Sequence, residues 1–345
     1  MTRHSLEVPR ALPNSRPFAA QAASPARDPL RDPLRSYARL SARICALMRA
    51  APVVALMGLP FAAPVFAGGG HAPAAASNNA HAGEHGGAQG AGALCQGYGP
   101  QTPRDISIHE GRNARLFTLA PPAADMNLCN IHMHTNAEHR GPGFSISAGE
   151  GPHGGYMCNN SQSLSRAELK PVIRGKGGRK GMAGVKPGDT VEVHWVFSSC
   201  AVTPGQGLGS CVSESCANPE LRVESQVFLV VNDADALDFE YFTYEGTRRN
   251  GLHQPKELPG GTGAPVLFAG STTGPKYTQS QCSPYQVTWS VRPNCAKVDI
   301  HSIHEWANRG NVFGEDHSHG VRQLVTAPEL LSPIGAGRRH GAAGH

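Results

Sequence analysis

Two histidines two residues apart, in Asn130-Ile-His132-Met-His134, lie in a run rich in β-branched and apolar residues. On a strand, alternate residues share a face, so Asn130, His132 and His134 project together while Ile131 and Met133 turn into an apolar layer. Two imidazoles held in parallel by a rigid backbone suit a metal that takes nitrogen ligands at about 2.0–2.1 Å. A later run, Thr190-Val-Glu192-Val-His194-Trp-Val-Phe197, puts Glu192 and His194 on one face and Val191, Val193, Trp195 and Phe197 on the other. Burying a carboxylate beside an imidazole is costly unless the two are paired or bound to a metal. His132, His134 and His194 are therefore the candidate metal ligands. Asn130 and Glu192 are the candidate partners for the ring nitrogens that face away from the metal.

Positioning such groups calls for strands, and the chain has them. Segments 128–134, 190–197, 222–231 and 286–291 are rich in β-branched and aromatic residues and are bounded by Gly, Pro or Asn. Helical signals are few: a short one over 163–169 and two turns over 302–308. The expected fold is mainly β, a single domain on a central, largely antiparallel sheet with long loops and a few short helices.

The ends of the chain read differently. Residues 1–67 form a leader with a secretory signal: Arg35, Arg39, Arg43 and Arg49 precede an apolar stretch that ends at small residues. That stretch holds three prolines and is short for a permanent span, so no membrane association is expected after cleavage. Residues 68–93 are a Gly/Ala/His-rich linker, 94–333 the folded domain and 334–345 a flexible tail. The 345 residues carry a formal charge of +5, but nine Lys/Arg against three Asp/Glu fall in the leader. The remainder, 22 basic and 23 acidic residues, has no footprint for nucleic acid. Eight of the nine cysteines follow the leader, an even number that reads as disulfides in an exported, periplasmic or secreted protein. Their connectivity is open at this level, and so is the oligomeric state.

The block Cys129-Asn-Ile-His132-Met-His134, followed by Ala137-Glu138-His139, resembles the Cys-Asn-Ile-His-x-His and Ala-Glu-His motifs of delta-class carbonic anhydrases. Fainter likenesses to the α class run along the body in the expected order. Cys95-Gln-Gly97 precedes Gln101-Thr-Pro, Ser225-Gln-Val-Phe-Leu229 matches a Gly-Val-Phe-Leu strand, and Tyr277-Thr278-Gln-Ser-Gln-Cys282 leads into Val287-Thr-Trp289 where that class has Leu-Thr-Thr-Pro-Pro-Cys-Ser and Val-x-Trp. In this register Glu224 stands where a pocket aliphatic is expected.

The resemblance implies an α-carbonic-anhydrase-like fold and reversible hydration of carbon dioxide to bicarbonate and a proton, with CO2 and bicarbonate as the small-molecule partners. It implies Zn2+, with Co2+ or Cd2+ as possible substitutes, and attack by zinc hydroxide. Zinc lowers the pKa of its water towards about 7, and carbonic anhydrase is itself the standard example of that effect, so the figure belongs to the class. By the same resemblance Thr278 and Glu138 orient the hydroxide, Val196 and Trp289 line the substrate pocket, and Cys95 pairs with Cys282. The segment that carries the α-class proton-shuttling histidine is largely missing, which leaves His109 and His153 as candidates. His153, in Gly151-Pro-His-Gly-Gly155, is preferred because glycines on either side free its ring to swing between site and solvent.

Plainer readings stand beside these. Glu138 could be a solvated turn carboxylate and Thr278 an ordinary loop hydroxyl. His139 reads as a surface residue, His301 and His304 as structural, and His317 and His319 as solvated loop residues. The rival function is a non-catalytic periplasmic metal-binding protein or a superoxide dismutase-like β protein, which needs further His and Asp ligands that the spacing does not place.

Overall fold

The computed structural model describes residues 93–151, 153–172, 181–274, 277–321 and 325–334. The leader, the linker up to residue 92 and the tail from residue 335 lie outside the described residues. Eleven strands occur in chain order: β1 (Asn127–Thr135), β2 (Ile146–Ser147), β3 (Tyr156–Met157), β4 (Thr190–Ser198), β5 (Leu221–Val231), β6 (Arg248–Arg249), β7 (Leu252–His253), β8 (Val266–Ser271), β9 (Gln286–Val291), β10 (Ala296–Asp299) and β11 (His319–Gly320). One helix, α1 (Ile300–Asn308), and four short 3-10 turns complete the described secondary structure.

Seven strands make the central sheet, in the order β11-β1-β4-β5-β9-β8, with β10 also on β5. The ladders β1/β4, β4/β5 and β8/β9 are antiparallel, while β11, β9 and β10 join in parallel. The fold is thus mainly β, as the sequence leads one to expect, and its three longest ladders are antiparallel. Strand β5 is long enough to pair β9 along its first half and β10 along its second.

Alternation along the strands builds two cores. Ile131, Met133, Val193, Trp195, Phe197, Phe228 and Val230 face α1, where Ile300, Ile303 and Trp306 close over them with Phe239. On the other face Val196, Val223, Val227, Val287 and Trp289 pack together. The candidate ligands emerge on this second face. Because every residue of β4 is buried, a polar side chain on it must find a partner inside the protein.

The region 163–169 is not a helix. A 3-10 turn covers Ser161–Ser163, and Ser165 and Glu168 exchange the reciprocal bonds of a capping box, but Pro171 follows within three residues and no helix develops. The helix expected over 302–308 forms and begins two residues earlier.

Four disulfides join Cys95–Cys282, Cys129–Cys211, Cys158–Cys295 and Cys200–Cys216. Among the described residues no helix is long and apolar enough to cross a membrane.

Candidate metal centre

The β1/β4 register sets His132 opposite His194 and His134 opposite Glu192. With Asn130 two residues before His132, the three histidines fall together on one face. Ring centroids lie 5.0 Å (His132–His134), 5.1 Å (His132–His194) and 4.9 Å (His134–His194) apart. One nitrogen from each lies within 4.8 Å of the others.

Partners on the far side of each ring identify the nitrogen left for a metal. His132 Nδ1 donates to Asn130 Oδ1 at 2.7 Å, which leaves Nε2. His134 Nδ1 donates to the Gly320 carbonyl at 3.2 Å, which again leaves Nε2. His194 Nε2 lies 3.3 Å from Glu192 Oε1, close enough for an ion pair though off the line of a hydrogen bond, so Nδ1 is left. His194 Nδ1 and His132 Nε2 stand 3.2 Å apart. The edge of a tetrahedron with metal–nitrogen bonds of about 2.0–2.1 Å is about 3.3 Å, so the two lone pairs are spaced to share one cation.

Protonation favours the same use. Burial, followed by the neighbouring imidazoles, holds His132 well below the ordinary 6.5, and burial also lowers His134, so both rings are neutral donors at neutral pH. Burial works to lower His194 as well, but the Glu192 carboxylate outweighs it and raises the ring. Glu192, fully buried, would be pushed up by desolvation alone. The charges of His139 and His194 overcome this and keep it well below the usual carboxylate range. Its oxygens also accept from His139 Nδ1 (2.8 Å), Ser225 Oγ (2.6 Å) and the Glu138 amide (2.6 Å). His139, Glu192 and His194 also cluster within metal-binding distance. With Glu192 committed to these donors, that trio is a hydrogen-bond network behind the ligands rather than a second centre.

The three histidines open into a cavity of about 320 Å³. Val196 and Trp289 line it, with Val223, Val287, Leu208 and Leu221. Glu224 does not occupy the pocket position that the sequence register assigns to it. Strand alternation gives that place to Val223, and Glu224 sits between Arg222 and Arg292, at 2.7 and 3.3 Å.

Two candidate catalytic residues lie elsewhere. Thr278 is exposed in a turn, where its backbone pairs with Gln281 and its hydroxyl meets Ser280 Oγ, with no contact to Glu138. Thr273 takes that place, its Oγ1 donating towards Glu138 Oε2 at 3.3 Å and Oε1 at 3.5 Å. The missed signal is the Thr272-Thr273 pair itself, which leaves β8 directly. The register anchored on Cys282 shifted the assignment downstream. His153 is exposed and does not line the cavity; Asn136 Nδ2 binds its carbonyl, and Gly154 and Gly155 bond back to Gly151 and Gly149, so the glycines build a closed turn. His109 is likewise exposed outside the cavity.

Two of the plainer histidine readings also change, those of His139 and His319, while His317 keeps its expected exposure and yet lines the cavity. His139 is fully buried on Glu192. His317 and His319 line the cavity: the His319 ring is 6.2 Å from both His132 and His134, its Nε2 donates to Glu315 at 2.9 Å, and the His317 ring is 4.8 Å beyond it. The available signal was a second His-x-His with a carboxylate four residues before it. His301 is exposed, and His304 is buried and accepts from the Met182 amide at 3.1 Å, so the two form no ligand pair.

The family model for delta carbonic anhydrase matches residues 123–302, which carry all three candidate ligands. A solved structure, the α-carbonic anhydrase of Thermovibrio ammonificans with the inhibitor sulfanilamide, is similar at 17% identity over 66% of this chain and 87% of that one, with a TM-score of 0.23. That likeness is too distant to carry chemistry across. Comparison with curated proteins gives no match.

Proposed function

Because the chain belongs to the delta carbonic anhydrase family and is accordingly a carbonic anhydrase, a hydro-lyase acting on carbon dioxide and bicarbonate, we propose that His132 Nε2, His134 Nε2 and His194 Nδ1 hold a zinc ion that serves this reaction. The observation that carries this reading is the 3.2 Å approach of two ring nitrogens whose opposite nitrogens face Asn130 Oδ1 at 2.7 Å and Glu192 Oε1 at 3.3 Å. All-nitrogen ligation with a fourth position open to solvent suits zinc, with cobalt or cadmium as substitutes. Bound there, zinc supplies the Lewis acidity that makes water a nucleophile towards the carbon of CO2 at neutral pH.

The protein's own groups do the rest. Asn130, Gly320 and Glu192 fix the three rings in the tautomers that ligation requires. Thr273 donates to Glu138, which leaves its hydroxyl oxygen free to accept from the attacking group and aim its lone pair. Val196, Val223, Val287 and Trp289 give an uncharged substrate an apolar wall beside the histidines. His319 and then His317 lead from the ligands towards solvent and take the proton released in each turnover. Four disulfides, together with the leader read in the sequence, support a periplasmic or secreted setting. The family match displaces the superoxide dismutase-like alternative.

The test is metal analysis of the purified protein together with stopped-flow CO2 hydration. One zinc per chain and activity, both lost in His194→Ala, is the expected result. Full metal occupancy in that variant overturns the ligand set.

A further inference from the structure

We propose that loop 203–212, held against the metal strand by the Cys129–Cys211 disulfide, is a positioning element for the metal centre: its Gly205 carbonyl fixes the amide of Asn130, and that amide fixes the ring of His132. The inference rests on the zinc reading above.

A side-chain amide has nearly the same shape in both of its flipped orientations, so contacts must choose between them. The choice matters here. With Asn130 Oδ1 towards His132, Nδ1 carries the proton and Nε2 offers its lone pair to the metal. With the amide reversed, Nδ1 must accept, and the proton moves to Nε2, where it blocks ligation. A carbonyl oxygen only accepts, and the Gly205 carbonyl lies 3.1 Å from Asn130 Nδ2, so only the productive orientation satisfies both neighbours.

Residue 129 explains why Gly205 stays there. The β1/β4 register shifts between Leu128 and Asn130, which makes Cys129 the extra residue of a β-bulge. Its carbonyl accepts from the Gly205 amide at 3.0 Å and from Ser210 Oγ at 2.7 Å, and its sulfur is bonded to Cys211. Three ties from one loop thus converge on the residue next to Asn130.

Two measurements on the metal-free protein and its variants test this: zinc affinity by competition with a chromophoric chelator, and the His132 tautomer from 15N-detected imidazole correlations. Asn130→Leu should weaken zinc binding by about 10–100-fold, the usual range for losing a partner behind a ligand. Removing the bridge with Cys129→Ala and Cys211→Ala should weaken it by about tenfold and mix the His132 tautomers. In the Asn130→Leu background, bridge removal should add nothing, because the loop acts through that amide. A folded bridge-less protein with wild-type affinity and a single Nδ1–H tautomer overturns the proposal, as do losses that multiply. If the bridge-less protein does not fold, Ser210→Ala, which keeps the disulfide, should still weaken zinc severalfold, and unchanged affinity in it overturns the proposal. If the wild-type protein binds no stoichiometric zinc, it is the zinc reading that fails, and the tautomer measurement still decides the role of the loop.

Discussion

The pairs His132-x-His134 and His317-x-His319 share a spacing, and the parallel pairing of β11 on β1 brings them side by side, yet their surroundings differ. The first pair lies inside the sheet, with each ring tied on its far nitrogen to a neutral oxygen, so it presents lone pairs. The second lies on a two-residue edge strand, with carboxylates for partners: Glu315 for His319, and Asp316 for His317, whose side chain is 57% exposed. Burial keeps a ring available as a ligand even where, as at His194, a carboxylate stands behind it, whereas exposure to solvent beside a carboxylate suits a ring that takes and gives protons. His-x-His is therefore only half of a motif, and the surroundings of each ring supply the other half.

The comparison can be broken most forcefully at the ligands. His132→Ala should remove stoichiometric zinc and lower CO2 hydration by at least about 10³-fold, the scale of losing a principal electrostatic catalyst. His317→Ala should leave metal content unchanged. A variant at position 317 that lost its zinc would erase the distinction.

Next in size is the group that aims the attack. Thr273→Val should reduce turnover by about 10²-fold with zinc retained, and Glu138→Gln should act similarly. The double variant should lose less than the product of the two, because the residues work as one unit. Thr278→Val is the control and should have the wild-type rate; a loss there would restore the Cys282-anchored register.

For the proton route, His317→Ala should lower turnover by about tenfold in dilute buffer, towards the low end of what acid–base groups contribute, and added imidazole should restore it. His153→Ala should show no such buffer dependence.

The smallest effect concerns the metal-free protein as the pH falls. His132 and His134 have folded pKa values below the ordinary 6.5, so below that pH the unfolded chain binds protons that the folded rings refuse. Both rings therefore erode stability as pH drops from about 6.5. His194, raised, adds stability at low pH and loses it as pH rises through its folded value, so it partly offsets them. Glu192 adds stability that is complete above its ordinary 4.5 and is lost progressively as pH falls from there towards its lower folded value. A melting temperature that drops modestly between pH 7.5 and 5.5, and drops less in His132→Phe, is the expected record. An unchanged slope in that variant would mean the ring is not held neutral.

Strand alternation made much of this architecture legible in advance. The period-two pattern in 128–134 and 190–197 separates Ile131, Met133, Val193 and Trp195 from the polar face, and the structure keeps that partition. Asn130 and Glu192 could be picked out because a buried polar residue beside a ligand needs a reason to be there. What local pattern could not give was anything created by closure. Thr273 and Thr278 are both loop threonines, and only the position of Glu138 tells them apart. Gly205 has no side chain to notice and acts through its carbonyl. The glycines around His153 read as freedom, but tertiary hydrogen bonds turn them into a closed turn. His319 reaches the cavity only through a pairing with β1 across most of the domain.

That last pairing also sets an order in time. Gly320, whose carbonyl holds the His134 ring, is 186 residues downstream of it, among the longest-range contacts at the site. Contacts so distant along the chain form slowly, since the loop entropy must be met before the contact returns anything. A chain emerging from its N-terminus has β1, β4 and β5 in hand, with all three ligand histidines, well before β11 exists. Until then the His134 ring lacks its Gly320 partner. The Gly320 carbonyl can hold the His134 ring only once β11 has docked on β1, so this orientation waits for nearly the whole described domain.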